Sequence, residues 1–128
     1  MDWAQLLGLD RTTINDLRYV GYTYLKEGHY QIAIEFFEAL IVLEPSTSYH
    51  YQTLGALYLQ TGQLQLALNY LERSLKIDPL HEPTRLNKLK TLYLLGYFKQ
   101  ANLLAQELIQ SASLQAKTQA EALFLAYS

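Results

Sequence analysis

Apolar residues along this chain recur at spacings of three and four, the interval that gathers side chains on one face of a helix. Leu17, Val20, Gly21 and Tyr24 form one such stripe, and Ala33, Phe36, Phe37, Leu40 and Ile41 form the next. Tyr51, Leu54, Gly55 and Tyr58 begin a third, followed by Ala67, Leu71 and Leu75. Gly28 and Gly62 interrupt the pattern within each pair of stripes. Pro45 and Pro79 close the pairs, because proline lacks the amide hydrogen that a helix interior needs. Two flanking stretches read as amphipathic helices of their own. One is residues 1–9 with Trp3, Leu6, Leu7 and Leu9, and the other is residues 113–127 with Leu114, Leu123, Phe124 and Tyr127 as its apolar side. The pattern predicts an all-α chain of about seven or eight helices, with no strands and no linker.

Set against itself at an offset of 34 residues, the sequence repeats. Gly28, Gly62 and Gly96 share one register, as do Ala33, Ala67 and Ala101. Gly21 pairs with Gly55, Tyr24 with Tyr58 and Pro45 with Pro79. The pattern resembles the tetratricopeptide-repeat (TPR) family, which asks for a large residue, a large aliphatic, Gly and Tyr on the first helix of each pair. On the second helix it asks for Ala, a large residue, a small residue and a closing Pro. Residues 48–81 answer with Tyr51, Leu54, Gly55, Tyr58, Ala67, Leu71, Ser74 and Pro79. Residues 14–47 depart at the small position, which is Leu40. Residues 82–112 depart further, with Arg85, Lys88 and Leu89 in the large, aliphatic and glycine positions and no closing proline. The resemblance implies one TPR domain over residues 1–128, a solenoid of three helix-turn-helix repeats with a short N-terminal helix and a C-terminal capping helix. Gly21, Ala33, Gly55 and Ala67 should lie where helices cross closely.

Composition narrows the chemistry. A net charge of −2 leaves no concentrated positive face for nucleic acid or an anionic membrane. There is no cysteine, hence no disulfide or thiolate metal site. The segment Met1–Gln5 carries no basic residues and no apolar run is long enough to span a bilayer, so a cytoplasmic protein is expected. No phosphate loop, His-Glu-x-x-His pattern or nucleophile elbow occurs, and no catalytic residue, cofactor or metal is expected. His29, His50 and His81 fall at helix junctions and read as surface histidines; the acidic residues read as a solvated surface. Arg85, Lys88 and Lys90 form the one local run of positive charge. It is either the exposed side of a degenerate helix or a contact for an acidic partner.

Eleven of the 128 residues are tyrosine, a side chain with a broad apolar face and a hydrogen-bonding tip. In a TPR stack the first helix of each pair lines the concave surface, which puts Tyr19, Tyr22, Leu25, Tyr49, Ala56, Leu59, Leu86 and Tyr93 on a groove. That much apolar area in water usually marks a binding site. The TPR carboxylate clamp for chaperone tails asks for Lys, Asn, Asn, Lys and Arg, where this chain has Arg18, Tyr22, Thr53, Pro83 and Asn87. Gly28–Ala33, Phe37–Glu44 and Gly62–Ala67 are instead similar to segments of the class II chaperones of bacterial type III secretion, the SycD/LcrH kind. That resemblance implies a cytoplasmic bacterial chaperone that holds a hydrophobic translocator-type substrate through an extended segment in the groove, with a homodimer contact through residues 1–10. The alternative is a TPR adaptor for protein–protein contacts in another bacterial complex.

Overall fold

The first two helices begin on aspartates. The Asp2 side chain accepts a hydrogen bond from the Gln5 amide at 3.1 Å and Asp10 accepts one from Thr13 at 2.8 Å. Each serves an amide that has no partner inside its own helix. The structure, a computed structural model, describes residues 2–127. Among the described residues it holds eight helices and no strand: α1 (Trp3–Leu6), α2 (Arg11–Lys26), α3 (Tyr30–Leu43), α4 (Ser48–Gln60), α5 (Leu64–Ile77), α6 (Glu82–Leu95), α7 (Phe98–Ser111) and α8 (Leu114–Tyr127). The turns inside the three pairs are made by Gly28, Gly62 and Gly96, at φ of 81°, 80° and 82°. Other residues enter that left-handed region only at a steric cost, which explains the glycine triplet.

The second glycine register answers a different need. A Cβ on Gly55 would lie 2.5 Å from Leu71 Cδ2 and 3.2 Å from the Leu71 backbone nitrogen. One on Gly21 would lie 3.0 Å from Phe36 Cβ. Ala33, Ala67 and Ala101 are fully buried on the opposing helices, and so is Leu40 at the position the family keeps small. In the third pair Leu89 takes the glycine position, also fully buried, and α6 and α7 approach each other closely over less of their length than the helices of the first two pairs.

Two apolar clusters result. The first gathers Ile14, Ile34, Phe37, Leu54 and Leu57; the second gathers Leu89, Leu92, Tyr93, Leu108 and Ala120. Helix α1 docks Ala4 on the first cluster, with Leu9 just beyond it, and leaves Trp3, Leu6 and Leu7 exposed. Helix α8 packs on α6 and α7. Its inner side differs from the stripe expected from sequence: Ala116 and Ala120 are buried and Leu123 and Phe124 half-buried, while Leu114 is 80% exposed. The spacing of 116, 120, 123 and 124 is one helical face, and position 114 lies off it.

Candidate peptide-binding groove

The first helices of the three pairs, with α8, border three shallow concavities. Asn15, Arg18, Tyr19, Tyr22 and Tyr49 line one of about 540 Å³ between α2 and α4. Ala56, Leu59, Gln60, Asn87, Lys90 and Leu94 line one of about 390 Å³ between α4 and α6. Glu82, Pro83, Leu86, Asn87, Ser113 and Gln119 are among those lining one of about 250 Å³ between α6 and α8. Tyr49 and Ala56 are two turns apart on one face of α4, and Asn87 borders both the second and third hollows, so the three run together as a groove. The first is rimmed by exposed aromatic rings, with Tyr19 at 73% and Tyr22 at 43% exposure. Lys26 Nζ lies over the Tyr22 ring, 5.7 Å from its centre.

Of the residues assigned to the groove from sequence, Tyr19, Tyr22, Tyr49, Ala56, Leu59 and Leu86 line it. Leu25 is half-buried against the first cluster. Tyr93 is not a groove residue: it is 2% exposed. Its hydroxyl donates to Asn102 Oδ1 at 2.8 Å and its ring stacks on Tyr127 at 5.1 Å. The expectation failed because α8, packing beside α6, covers the position.

Beneath the first concavity lies a polar network that sequence reasoning missed. Glu44 Oε1 accepts hydrogen bonds from Arg18 Nη2 and from His50 Nε2, each at 2.8 Å, and Arg11 reaches Glu44 Oε2 at 3.4 Å. His50, expected on the surface, is fully buried between the rings of Phe37 and Tyr49. Its Nδ1 and the Arg18 Nε are buried without a partner. An unpartnered Nδ1 is tolerable as an unprotonated lone pair and costly as an N–H, so the ring is neutral with its proton on Nε2. Burial accordingly lowers the His50 pKa, against the pull of the Glu44 hydrogen bond. Burial tends to raise the Glu44 carboxyl, but the hydrogen bonds from His50 and Arg18 prevail and hold it below the usual range.

Glu38 is a second acid drawn inward, accepting from Tyr58 and Tyr70 at 2.7 and 3.1 Å while those two rings stack. The acidic residues are therefore not uniformly a solvated surface. A signal was present: Glu44 recurs in register as Asp78, each one residue before a proline. His81 lies near Thr84 Oγ1 at 2.8 Å, and His29 is exposed. Among the described residues no group of three or more His, Asp or Glu side chains is placed to hold a metal ion. None of the helices described is long and apolar enough to cross a membrane.

The groove offers aromatic faces, aliphatic walls and hydrogen-bonding tips. The tetratricopeptide-repeat pattern matches residues 51–81 and, in a second form, residues 20–47. This chain carries tandem tetratricopeptide repeats. Solved structures similar to this TPR protein include the type III secretion translocator chaperone SycD of Yersinia enterocolitica, at 25% identity and TM-score 0.79, covering 96% of each chain. SycD in complex with a peptide of the translocator YopD gives 24% identity and TM-score 0.76, covering 93% of this chain and 98% of that one. PcrH in complex with the chaperone binding region of PopD gives 23% identity and TM-score 0.75, covering 94% of both. The last two likenesses establish the fold alone. No curated protein sequence matches the TPR chain. The carboxylate-clamp positions do not form a clamp: Thr53 is buried and Arg18 is engaged by Glu44.

Proposed function

We propose that this TPR protein is a bacterial cytoplasmic chaperone of type III secretion, holding a hydrophobic translocator-type substrate through an extended segment in the groove formed by α2, α4, α6 and α8. The observation that carries the reading is the aromatic first concavity of Tyr19, Tyr22 and Tyr49, left open to solvent on a fold shared over nearly its whole length with SycD. Exposed aromatic area of this kind is held for a partner, since water gains nothing from it. A holdase needs no hydrolytic site, in keeping with a groove built to grip and not to react. Two SycD arrangements have been solved, one described as an alternative dimer. The exposed Trp3 and Leu6 of α1, with Leu7 just after it, would supply an apolar contact for a second copy here.

The test is co-expression. The partner is captured from native lysate with the full-length chain, identified, and then produced with and without it. A hydrophobic secreted partner should stay soluble only in the presence of the wild-type chain. Tyr22→Ala should weaken the complex by about 2 kcal/mol in calorimetry while the variant remains folded. A partner equally soluble alone, or unchanged affinity in folded Tyr22→Ala, would overturn the reading.

A further inference from the structure

The run Arg85, Lys88, Lys90 is not one patch. Helical geometry spreads these residues around α6. Arg85 turns to Glu107 of α7, with Nη2 3.1 Å from the carboxylate. Lys88 borders a hollow with Leu92, Leu103 and Glu107 between α6 and α7. Lys90 faces the groove, in the middle concavity. Its ammonium has no ion pair among the described residues.

The other charges along the groove are engaged elsewhere or lie away from its centre, Lys26 over the Tyr22 ring among them. Arg18 is neutralised by Glu44. Glu82 accepts from the Ser113 amide at 2.8 Å and from its hydroxyl at 2.7 Å, fixing the start of α8. Helix α4, which forms the opposite wall, carries no charged residue other than the buried, neutral His50. Thus a chain of net charge −2 places one uncompensated cation at the centre of its binding face, between the amides of Gln60 and Asn87 and the apolar groups of Ala56, Leu59 and Leu94. An ammonium with amide neighbours and apolar flanks matches a carboxylate side chain that has apolar neighbours of its own.

We propose that Lys90 is a specificity-determining residue, selecting bound segments that carry an Asp or Glu at the position over the middle concavity. This rests on the groove being the binding site. The flanking hollows hold the apolar residues of the segment, and the acid fixes its register along the groove. An anchor of this kind contributes discrimination more than affinity.

The experiment selects random dodecapeptides displayed on phage against immobilised full-length protein: wild type, Lys90→Glu, Lys88→Glu and Tyr22→Ala. Wild-type peptides should share one acidic position among apolar residues. Changing that acid to Gln in a synthetic peptide should weaken binding about two- to fivefold, the range of a solvent-accessible ion pair. Lys90→Glu should select Lys or Arg at the same position. Lys88→Glu alters net charge equally but faces away from the groove, and should keep the acidic preference. Wild-type peptides lacking the acid, or equal shifts in the Lys90 and Lys88 variants, would overturn the proposal and leave the groove reading intact so long as Tyr22→Ala loses those peptides. No enrichment on wild type, or peptides that bind folded Tyr22→Ala undiminished, would overturn both.

Discussion

At Gly55 the backbone of α4 lies so near α5 that a methyl group would meet Leu71 at 2.5 Å; 34 residues later, in the same register, α6 carries the fully buried side chain of Leu89. The first two repeats close their helix pairs through glycine, and the third opens its pair and fills the gap with leucine. The junctions between repeats diverge in the same way. Arg18, Glu44 and His50 form a charged network where the first repeat meets the second. Their counterparts by register are Gln52, Asp78 and Thr84, where Thr84 donates to Gln52 at 3.5 Å and no ion pair forms. The third repeat relies instead on its neighbours, with α5 on one side and α8 on the other. What the repeat requires is a filled volume and a satisfied junction; the consensus residues are one solution, valid where the backbones are close.

Removing α8, by ending the chain at Ala112, should be the most damaging test of that contrast. It strips Ala120, Leu123 and Phe124 from the second cluster and uncovers Tyr93. A loss of about 4 kcal/mol or more is expected, with hydrogen exchange rising in α6 and α7 before α2 to α5. Uniform exchange throughout would mean that the third repeat does not depend on its cap.

Leu89→Ala follows. It should cost about 3 kcal/mol, because the wider crossing of α6 and α7 cannot collapse onto the vacated space. Gly55→Ala reverses the direction, adding a methyl where none fits, and should cost about 2 kcal/mol by overpacking. Urea titration of both variants checks the pair. If Leu89→Ala is neutral, the third crossing is as close as the second and the comparison fails.

The charged junction should also make stability depend on pH through the first two repeats. His50 has a lowered pKa in the folded state, so below about pH 6.5 the unfolded chain takes up a proton that the folded chain refuses. Stability present above that point is lost as pH falls through the depressed His50 value. Glu44, also lowered, gives a second loss of the same sign below its unfolded value of 4.5. Denaturant midpoints measured downward from about pH 7.5 should fall, and His50→Gln should remove the first loss and keep the second. An unchanged profile in His50→Gln would show that the network does not govern the junction.

Tyr93→Phe should have a small effect, about 1 kcal/mol, through the lost hydrogen bond to Asn102. Tyr22→Phe, on the open groove, should leave the melting temperature unchanged. Equal losses in the two would contradict the burial of one and the exposure of the other.

The chain's own periodicity was enough for an all-α chain of about seven or eight helices in three pairs with two flanking helices, since glycine and proline act through the local backbone and a 34-residue repeat is visible without any contact. Tyr19, Tyr22, Tyr49, Ala56, Leu59 and Leu86, which it assigned to first-helix positions, line adjoining hollows, because register on a helix fixes direction. Periodicity could not tell Tyr93 from Tyr22. Both occupy first-helix positions, and only the docking of α8 beside α6 decided that one ring is covered and the other open. Nor could it find the buried His50, whose surroundings, Phe37, Tyr49, Glu44 and Arg18, arrive from three segments at once. Local pattern sets which way a side chain points. Whether water, a carboxylate or another helix stands there is a property of distant parts of the chain, and only the tertiary structure brings them together.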